Sequence, residues 1–137
     1  MSARSQINRD IAWDAVWMGY LIAILGTLSL GGGLLWLYQD IWWLALAGLG
    51  MLFLGGWVAG WRARTAEPLN GAFIAVFYFS ATVVALFGGE LAGWLPDPLT
   101  GLPRGDSTFF FVWPLGQLVA STLGAVLGGW VYAETRR

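Results

Sequence analysis

The chain of 137 residues contains no cysteine, no histidine and no lysine. Without cysteine it can form neither a disulfide nor a thiol nucleophile. Because histidine is also missing, zinc and haem sites built from these two residues are excluded, as is a catalytic triad with an imidazole base. The formal net charge of −1 offers no basic surface for nucleic acid. We therefore expect no enzymatic activity, no cofactor and no nucleic-acid partner.

Charged residues of either sign are scarce. They make up 11% of the chain, whereas soluble domains carry roughly 25%. Hydrophobic residues make up 58%, and the mean hydropathy is +0.66. So few charges could not cover the surface of a water-soluble domain. The composition indicates a membrane protein whose main partner is the lipid bilayer.

The charged residues divide the chain into four uncharged runs of 21 to 27 residues. A helix of about 20 apolar residues crosses a bilayer core, and the runs lack the alternation of barrel strands. We therefore predict an all-α integral membrane protein in which residues 1–137 form a single domain of four transmembrane helices. The predicted spans cover about residues 15–38, 41–61, 69–92 and 109–133.

The segments between the spans predict three connections. Gln39 and Asp40 leave room only for a tight turn, and Pro68 suits the first position of the third helix. The segment 94–108 contains three prolines and two glycines, which predicts one long irregular loop. Pro114 follows this loop and is expected to start or kink the fourth helix.

The arginines predict the orientation. Six of the seven fall on one side of a four-span protein, and only Arg104 falls on the other. Because cytoplasmic loops carry the excess of positive charge, both termini are expected in the cytoplasm. The ten tryptophans lie near the predicted helix ends, which is typical of aromatic belts at membrane interfaces; a functional aromatic cage is the alternative. We expect a multi-pass membrane protein with this orientation.

Small residues recur at four-residue spacing along the predicted helices, a pattern typical of helices that pack closely in lipid. On this basis we assign helix packing to Gly19, Ala23 and Gly31 in the first span, Gly56 and Gly60 in the second, Ala85 and Gly89 in the third, and Gly116, Ala120, Gly124 and Gly128 in the fourth. We expect most of them to hold one compact Gly/Ala-packed bundle together. At least one stripe could instead face another protomer or a partner protein.

Two acidic residues are candidates for a polar or transport site. Asp14 lies in the first turn of the first helix, where an acid favours the helix dipole and is hydrated at the interface. Its alternative role is that of a proton-coupled carboxylate, as in small four-helix drug exporters. Glu90 lies about 20 residues into the third helix, and we expect it to be a surface acid that could pair with Arg104.

Gln117 is the third candidate. Together with Ser121 and Thr122 it forms a small polar patch on the fourth helix. Hydrogen bonds between helices, or from side chains back to their own helix, explain such a patch; the alternative is a pore lining.

The ends of the second and fourth spans read alike, with Leu-Gly-Gly-Trp-Val at 54–58 and again at 127–131. This echo suggests two related helical hairpins. The segment 55–64, together with Asn70-Gly71-Ala72 and Phe77-Tyr78, resembles the middle of the YrzE-like small bacterial membrane proteins. The resemblance implies four spans of similar total length, and it implies no activity, catalytic residue or cofactor.

These observations favour a non-enzymatic membrane protein that acts as a structural or accessory subunit, or as a self-oligomer, through contacts with other transmembrane helices. The alternative is a small transporter or channel that assembles as an oligomer. A water-accessible polar path through the centre of the bundle would distinguish the two.

Overall fold

The computed structural model describes residues 11–65, 67–95 and 107–136, with the backbone alone for residues 107–110. Of these residues 89% are helical and none lies in a strand. Four helices are long and apolar enough to cross a membrane, which confirms the all-α, four-span prediction at this level. They are α1 (Trp13–Tyr38), α2 (Ile41–Ala63), α3 (Pro68–Ala92) and α4 (Ser107–Glu134).

The connection between α1 and α2 consists of two residues. Gln39 has the left-handed backbone conformation (φ 54°), and its N–H donates a 2.8 Å hydrogen bond to the carbonyl oxygen of Leu35. Asp40 then caps α2, because its side chain accepts a 3.0 Å hydrogen bond from the N–H of Trp42. The two helices therefore form a close antiparallel hairpin.

The remaining helix ends follow ordinary capping chemistry. Arg64 ends α2 in the left-handed conformation (φ 59°). Pro68 is the first residue of α3, a position whose backbone N–H has no partner within the helix, so the missing N–H of proline costs no hydrogen bond. Gly93 ends α3 at φ 70°, a conformation that glycine adopts without strain. Most of the long loop predicted at 94–108 lies outside the described residues. Since α4 already begins at Ser107, Pro114 lies inside this helix and does not start it.

A π-helical segment, Thr27–Gly31, interrupts the α-helical geometry of α1. Two hydroxyl groups donate to the backbone of their own helix here: Thr27 Oγ1 to the Ala23 carbonyl oxygen at 2.6 Å, and Ser29 Oγ to that of Leu25 at 2.7 Å. Such back-bonding competes with the regular helical ladder and often bends a helix. The segment lies near the middle of α1.

The four helices pack in the order α1, α2, α4, α3 around the bundle, and α2 and α4 share the most extensive contact. Rings of α1 and α3 lie side by side near the start of both helices: Trp13 is 5.2 Å from Phe73, and Trp17 stacks on Phe77 at 5.2 Å. These pairs show that α1 and α3 run parallel. Both helices therefore start at one end of the bundle, which we call the terminal end. The end of α4 lies there too, because Tyr132 contacts Trp61 near the end of α2 and the neighbouring Arg62 pairs with Asp14 of α1.

Candidate functional site

The backbones of α2 and α4 touch along two pairs of glycines. A Cβ atom added to Gly56 or Gly60 of α2 would meet the carbonyl oxygen of Ser121 or Ala125 at less than 3.0 Å. Four residues further along α2 the contact has also moved four residues further along α4, so the two helices run parallel. Only a residue without a side chain fits between the backbones at these two positions.

The same contact holds from the side of α4. A Cβ atom added to Gly124 or Gly128 would meet the carbonyl oxygen of Phe53 or Trp57 at less than 3.0 Å. All four glycines are buried. These two Gly-x-x-x-Gly pairs therefore face each other inside a single chain; we call this contact the glycine seam.

Other small residues assigned to packing also lie at helix contacts. A Cβ atom on Gly19 would lie 2.5 Å from the carbonyl oxygen of Gly55, one on Gly31 would lie 2.7 Å from a methyl carbon of Leu44, and Ala23 is fully buried. Gly71, outside that assignment, contacts the backbone of Ser121 equally closely. Ser121 thus lies where α2, α3 and α4 meet.

Four of the assigned residues lie away from such backbone contacts. Ala85 is exposed, and Gly89 meets only the side chain of Leu95, the nearest atom being 3.0 Å from an added Cβ. The nearest atom to an added Cβ on Gly116 is a Leu49 methyl carbon at 3.9 Å, and Ala120 is half-buried. The structure therefore separates stripes that look equivalent in the sequence.

Tyr78 and Thr27 form a buried polar pair inside the bundle. The Tyr78 hydroxyl of α3 donates a 3.0 Å hydrogen bond to Thr27 Oγ1 in the π-helical segment. The same hydroxyl lies against Gly48 of α2, where an added Cβ would be 2.6 Å away from it. Tyr78 and Thr27 are 5% and 8% exposed. The hydrogen bond joins α1 and α3, and the Tyr78 hydroxyl also packs against α2.

Three buried polar atoms have no hydrogen-bond partner within the described residues: Asn70 Nδ2, Gln117 Oε1 and Ser121 Oγ. Gln117 is 5% exposed, while Asn70 and Ser121 are fully buried. Gln117 and Ser121 are four residues apart, so they lie on one face of α4. Asn70 lies toward the terminal end, where its Oδ1 accepts a 3.1 Å hydrogen bond from the N–H of Ala12.

The sequence indicated Gln117 and Ser121 as candidate polar residues and missed the buried Thr27, Tyr78 and Asn70. The only indication of Thr27 and Tyr78 in the sequence is that each places a polar group near the middle of an apolar span. Thr82 and Ser80, also on α3, gave the same kind of signal, yet Thr82 donates back to the Tyr78 carbonyl oxygen at 2.8 Å and Ser80 is exposed. Only the tertiary arrangement distinguishes these cases.

The buried Oε1 atom of Gln117, which has no partner among the described residues, predicts an unusual response to substitution. Gln117→Met keeps the length of the side chain and removes the acceptor without a partner, so we expect the free energy of unfolding to rise by about 1 kcal/mol. Chemical unfolding in detergent, followed by tryptophan fluorescence, measures this change. Gln117→Glu, which buries a charge at the same place, serves as the opposite control and should destabilise the bundle. A clear loss of stability in Gln117→Met would show that its amide has a partner inside the folded protein.

The structure places Asp14 at the terminal end, where its side chain is 70% exposed. Its Oδ2 atom accepts a 3.2 Å hydrogen bond from Nε of Arg62, which closes an ion pair between α1 and α2. Glu90 lies near the opposite end of α3 and is exposed as well. Arg104, the partner considered for Glu90, lies outside the described residues.

Asp14→Asn is expected to change the free energy of unfolding by less than about 1 kcal/mol, since an exposed ion pair and a helix-dipole contact are both small terms. Thermal unfolding in detergent measures the effect. Reconstitution in liposomes with a pH gradient and a pH-sensitive dye provides the functional control. Proton flux in the parent that disappears in Asp14→Asn would instead make this carboxylate a transport group.

Comparison of the chain with protein-family models, with curated protein sequences and with solved structures finds no match.

Proposed function

We propose that this chain is a non-enzymatic structural or accessory protein of a bacterial cytoplasmic membrane, and that it acts by binding other transmembrane helices. The observation that carries the proposal is one face of α3 in its second half. This face, which we call the outer face of α3, consists of Val84, Ala85, Phe87, Gly88, Leu91 and Ala92. All six residues are exposed.

The two halves of α3 differ sharply in how far their side chains are buried. In the first half Asn70, Ile74 and Tyr78 are buried against the other helices. In the second half Val84 is 71% exposed and Leu91 is 90% exposed. A helix that buries residues over only half of its length leaves the other half available to a neighbour.

The composition of the outer face favours a protein neighbour over lipid alone. Ala85, Gly88 and Ala92 follow one another at spacings of three and four residues, which places them on one side of the helix. Small residues let another helix approach the backbone closely, whereas contact with lipid tails does not require them. Within the described part of the chain, no atom lies within 4 Å of a Cβ added to Gly88.

We further propose that both termini lie in the cytoplasm. Arg62, Arg64 and Arg136 all lie at the terminal end, which agrees with the rule that positive charge stays on the cytoplasmic side. The likeness to YrzE-like proteins supports the same four-span topology and suggests no activity. Fusions of a reporter to either end test the orientation.

The alternative function is that of a small oligomeric transporter or channel. The buried unpaired atoms of Gln117 and Ser121 favour it, since polar groups without partners can bind water or a polar solute. Against it stands the distribution of charge: every charged side chain among residues 11–65, 67–95 and 111–136 is at least partly exposed. Proton- and ion-coupled carriers usually contain an ionisable group inside the bundle.

Purification from native membranes in a mild detergent distinguishes the two functions. An accessory subunit should elute as part of a larger complex with a defined second polypeptide, or as an oligomer of this chain that carries no flux. An oligomer of this chain alone that conducts a solute in liposomes would favour transport. A monomer that copurifies with nothing would contradict both.

A further inference from the structure

An open cleft of about 410 Å³ lies at the terminal end of the bundle, between α1, α2 and α4. Three arginines and two aromatic residues line it: Arg62, Arg64, Arg136, Trp61 and Tyr132. Among the residues that the structure describes, no acidic side chain belongs to this lining. The helices end here, so in a membrane the cleft lies at the level of the lipid headgroups.

A single aromatic ring positions two of the arginines. The guanidinium carbons of Arg64 and Arg136 lie 5.8 Å and 5.2 Å from the ring centroid of Tyr132. Trp61 in turn supports this ring with an edge-on contact at 5.6 Å. Cation–π contacts therefore hold both guanidinium groups at the cleft, where each can donate hydrogen bonds to an anion.

The positive charge of the third arginine, Arg62, is already balanced by an acidic side chain. Nε of Arg62 donates to Asp14, which lies outside the lining, so the ion pair neutralises this arginine. Among the lining residues that the structure describes, Arg64 and Arg136 therefore supply the excess positive charge.

The cleft also has an apolar side. Met18 of α1 and Val58 of α2 complete its lining. Both lie on the membrane side of the arginines, because Met18 is in the second turn of α1 and Val58 is four residues before Arg62. A free phosphate ion would gain nothing from these side chains, whereas an acyl chain would pack against them.

We propose that the cleft binds an anionic phospholipid, with its phosphate between Arg64 and Arg136 and the upper part of an acyl chain along Met18 and Val58. Planar guanidinium groups present paired donors that match phosphate oxygens. Basic pockets between transmembrane helices at the cytoplasmic side are suited to such headgroups. This inference is independent of the proposed accessory function, because it uses the opposite end of the bundle from the outer face of α3.

Native mass spectrometry of the full chain, released from detergent after titration with phosphatidylglycerol, tests the site. The parent should bind one phosphatidylglycerol more tightly than phosphatidylcholine. The double substitution Arg64→Gln with Arg136→Gln should weaken phosphatidylglycerol binding about 30-fold, as expected for the loss of two arginines at a charged surface. The variant Arg64→Lys with Arg136→Lys keeps the charge but loses the planar paired donors, so its binding should fall between that of the parent and that of the glutamine pair.

Several outcomes would overturn the assignment. Equal binding of phosphatidylglycerol and phosphatidylcholine by the parent would show that the cleft does not select an anionic headgroup. Unchanged phosphatidylglycerol binding by the glutamine pair would place any lipid elsewhere. Displacement of the lipid by inorganic phosphate at the same concentration would show a site for the free ion. If the glutamine pair does not fold, Arg136→Gln alone, just beyond the end of α4, should still weaken binding severalfold.

Discussion

Gly124→Leu should prevent the four helices from assembling. A side chain at this position would collide with the backbone of α2, because an added Cβ already meets the Phe53 carbonyl oxygen and lies 3.0 Å from the Trp57 nitrogen. Backbone atoms in a helix cannot rotate away as a flexible side chain can. Even Gly124→Ala should therefore cost about 1–3 kcal/mol, and leucine should cost more.

The effect should spread along the whole glycine seam. Moving α2 and α4 apart at Gly124 also opens the contacts at Gly56, Gly60 and Gly128, and the dispersion energy of the facing atoms falls steeply with distance. Thermal unfolding in detergent, followed by near-UV circular dichroism, measures the loss. Val119→Leu on the same helix is the control, since Val119 is 54% exposed and its substitution should change stability by less than about 0.5 kcal/mol. Parental stability in Gly124→Leu would contradict the packing described.

Gly88→Leu should have the opposite effect to Gly124→Leu: the bundle should stay folded, but the protein should no longer bind its partner. The space around Gly88 is open within the described residues, so leucine fits without a clash. Replacement of a helical glycine can even raise helix stability by up to about 1 kcal/mol. Another helix packed on the outer face of α3 would, however, be forced away from the backbone. We expect copurification of the partner to fall to the background level.

Gly50→Leu is the matched control for this experiment. Gly50 of α2 is exposed and has no atom within 4 Å of an added Cβ, as at Gly88. The two variants thus make the same substitution at open positions on different helices. If both lose the partner, or if neither does, the outer face of α3 is not the site of the contact.

Hydropathy was sufficient to predict the four helices, because crossing a bilayer imposes a length and a composition that can be counted in the sequence. The turn at Gln39 and Asp40 could be predicted for the same reason, since no more residues separate the two runs. The π-helical segment of α1 left only an ambiguous signal: the adjacent Gly31-Gly32-Gly33 marks a place where helical geometry is easily altered, but not which alteration occurs.

Which face of a helix is covered could not be read from spacing. Ala85 and Gly124 both belong to stripes of small residues four apart, yet Ala85 is exposed while Gly124 touches the backbone of another helix. The difference depends on how the helices are arranged in the bundle, which the spacing of small residues does not reveal. Likewise, Asp14 and Arg62 are 48 residues apart, and their ion pair exists only because α1 and α2 form a hairpin.

The most direct test of the proposed function is cross-linking at the outer face of α3 in native membranes. The chain contains no cysteine, so Gly88→Cys introduces a single thiol that can carry a short photoreactive probe, and Gly50→Cys provides the matched position on α2. We predict that the probe at Gly88 yields one adduct of defined mass, with a second copy of this chain or another membrane polypeptide, and that the probe at Gly50 yields none. Adducts with lipid alone at Gly88, or the same protein adducts at both positions, would contradict the account.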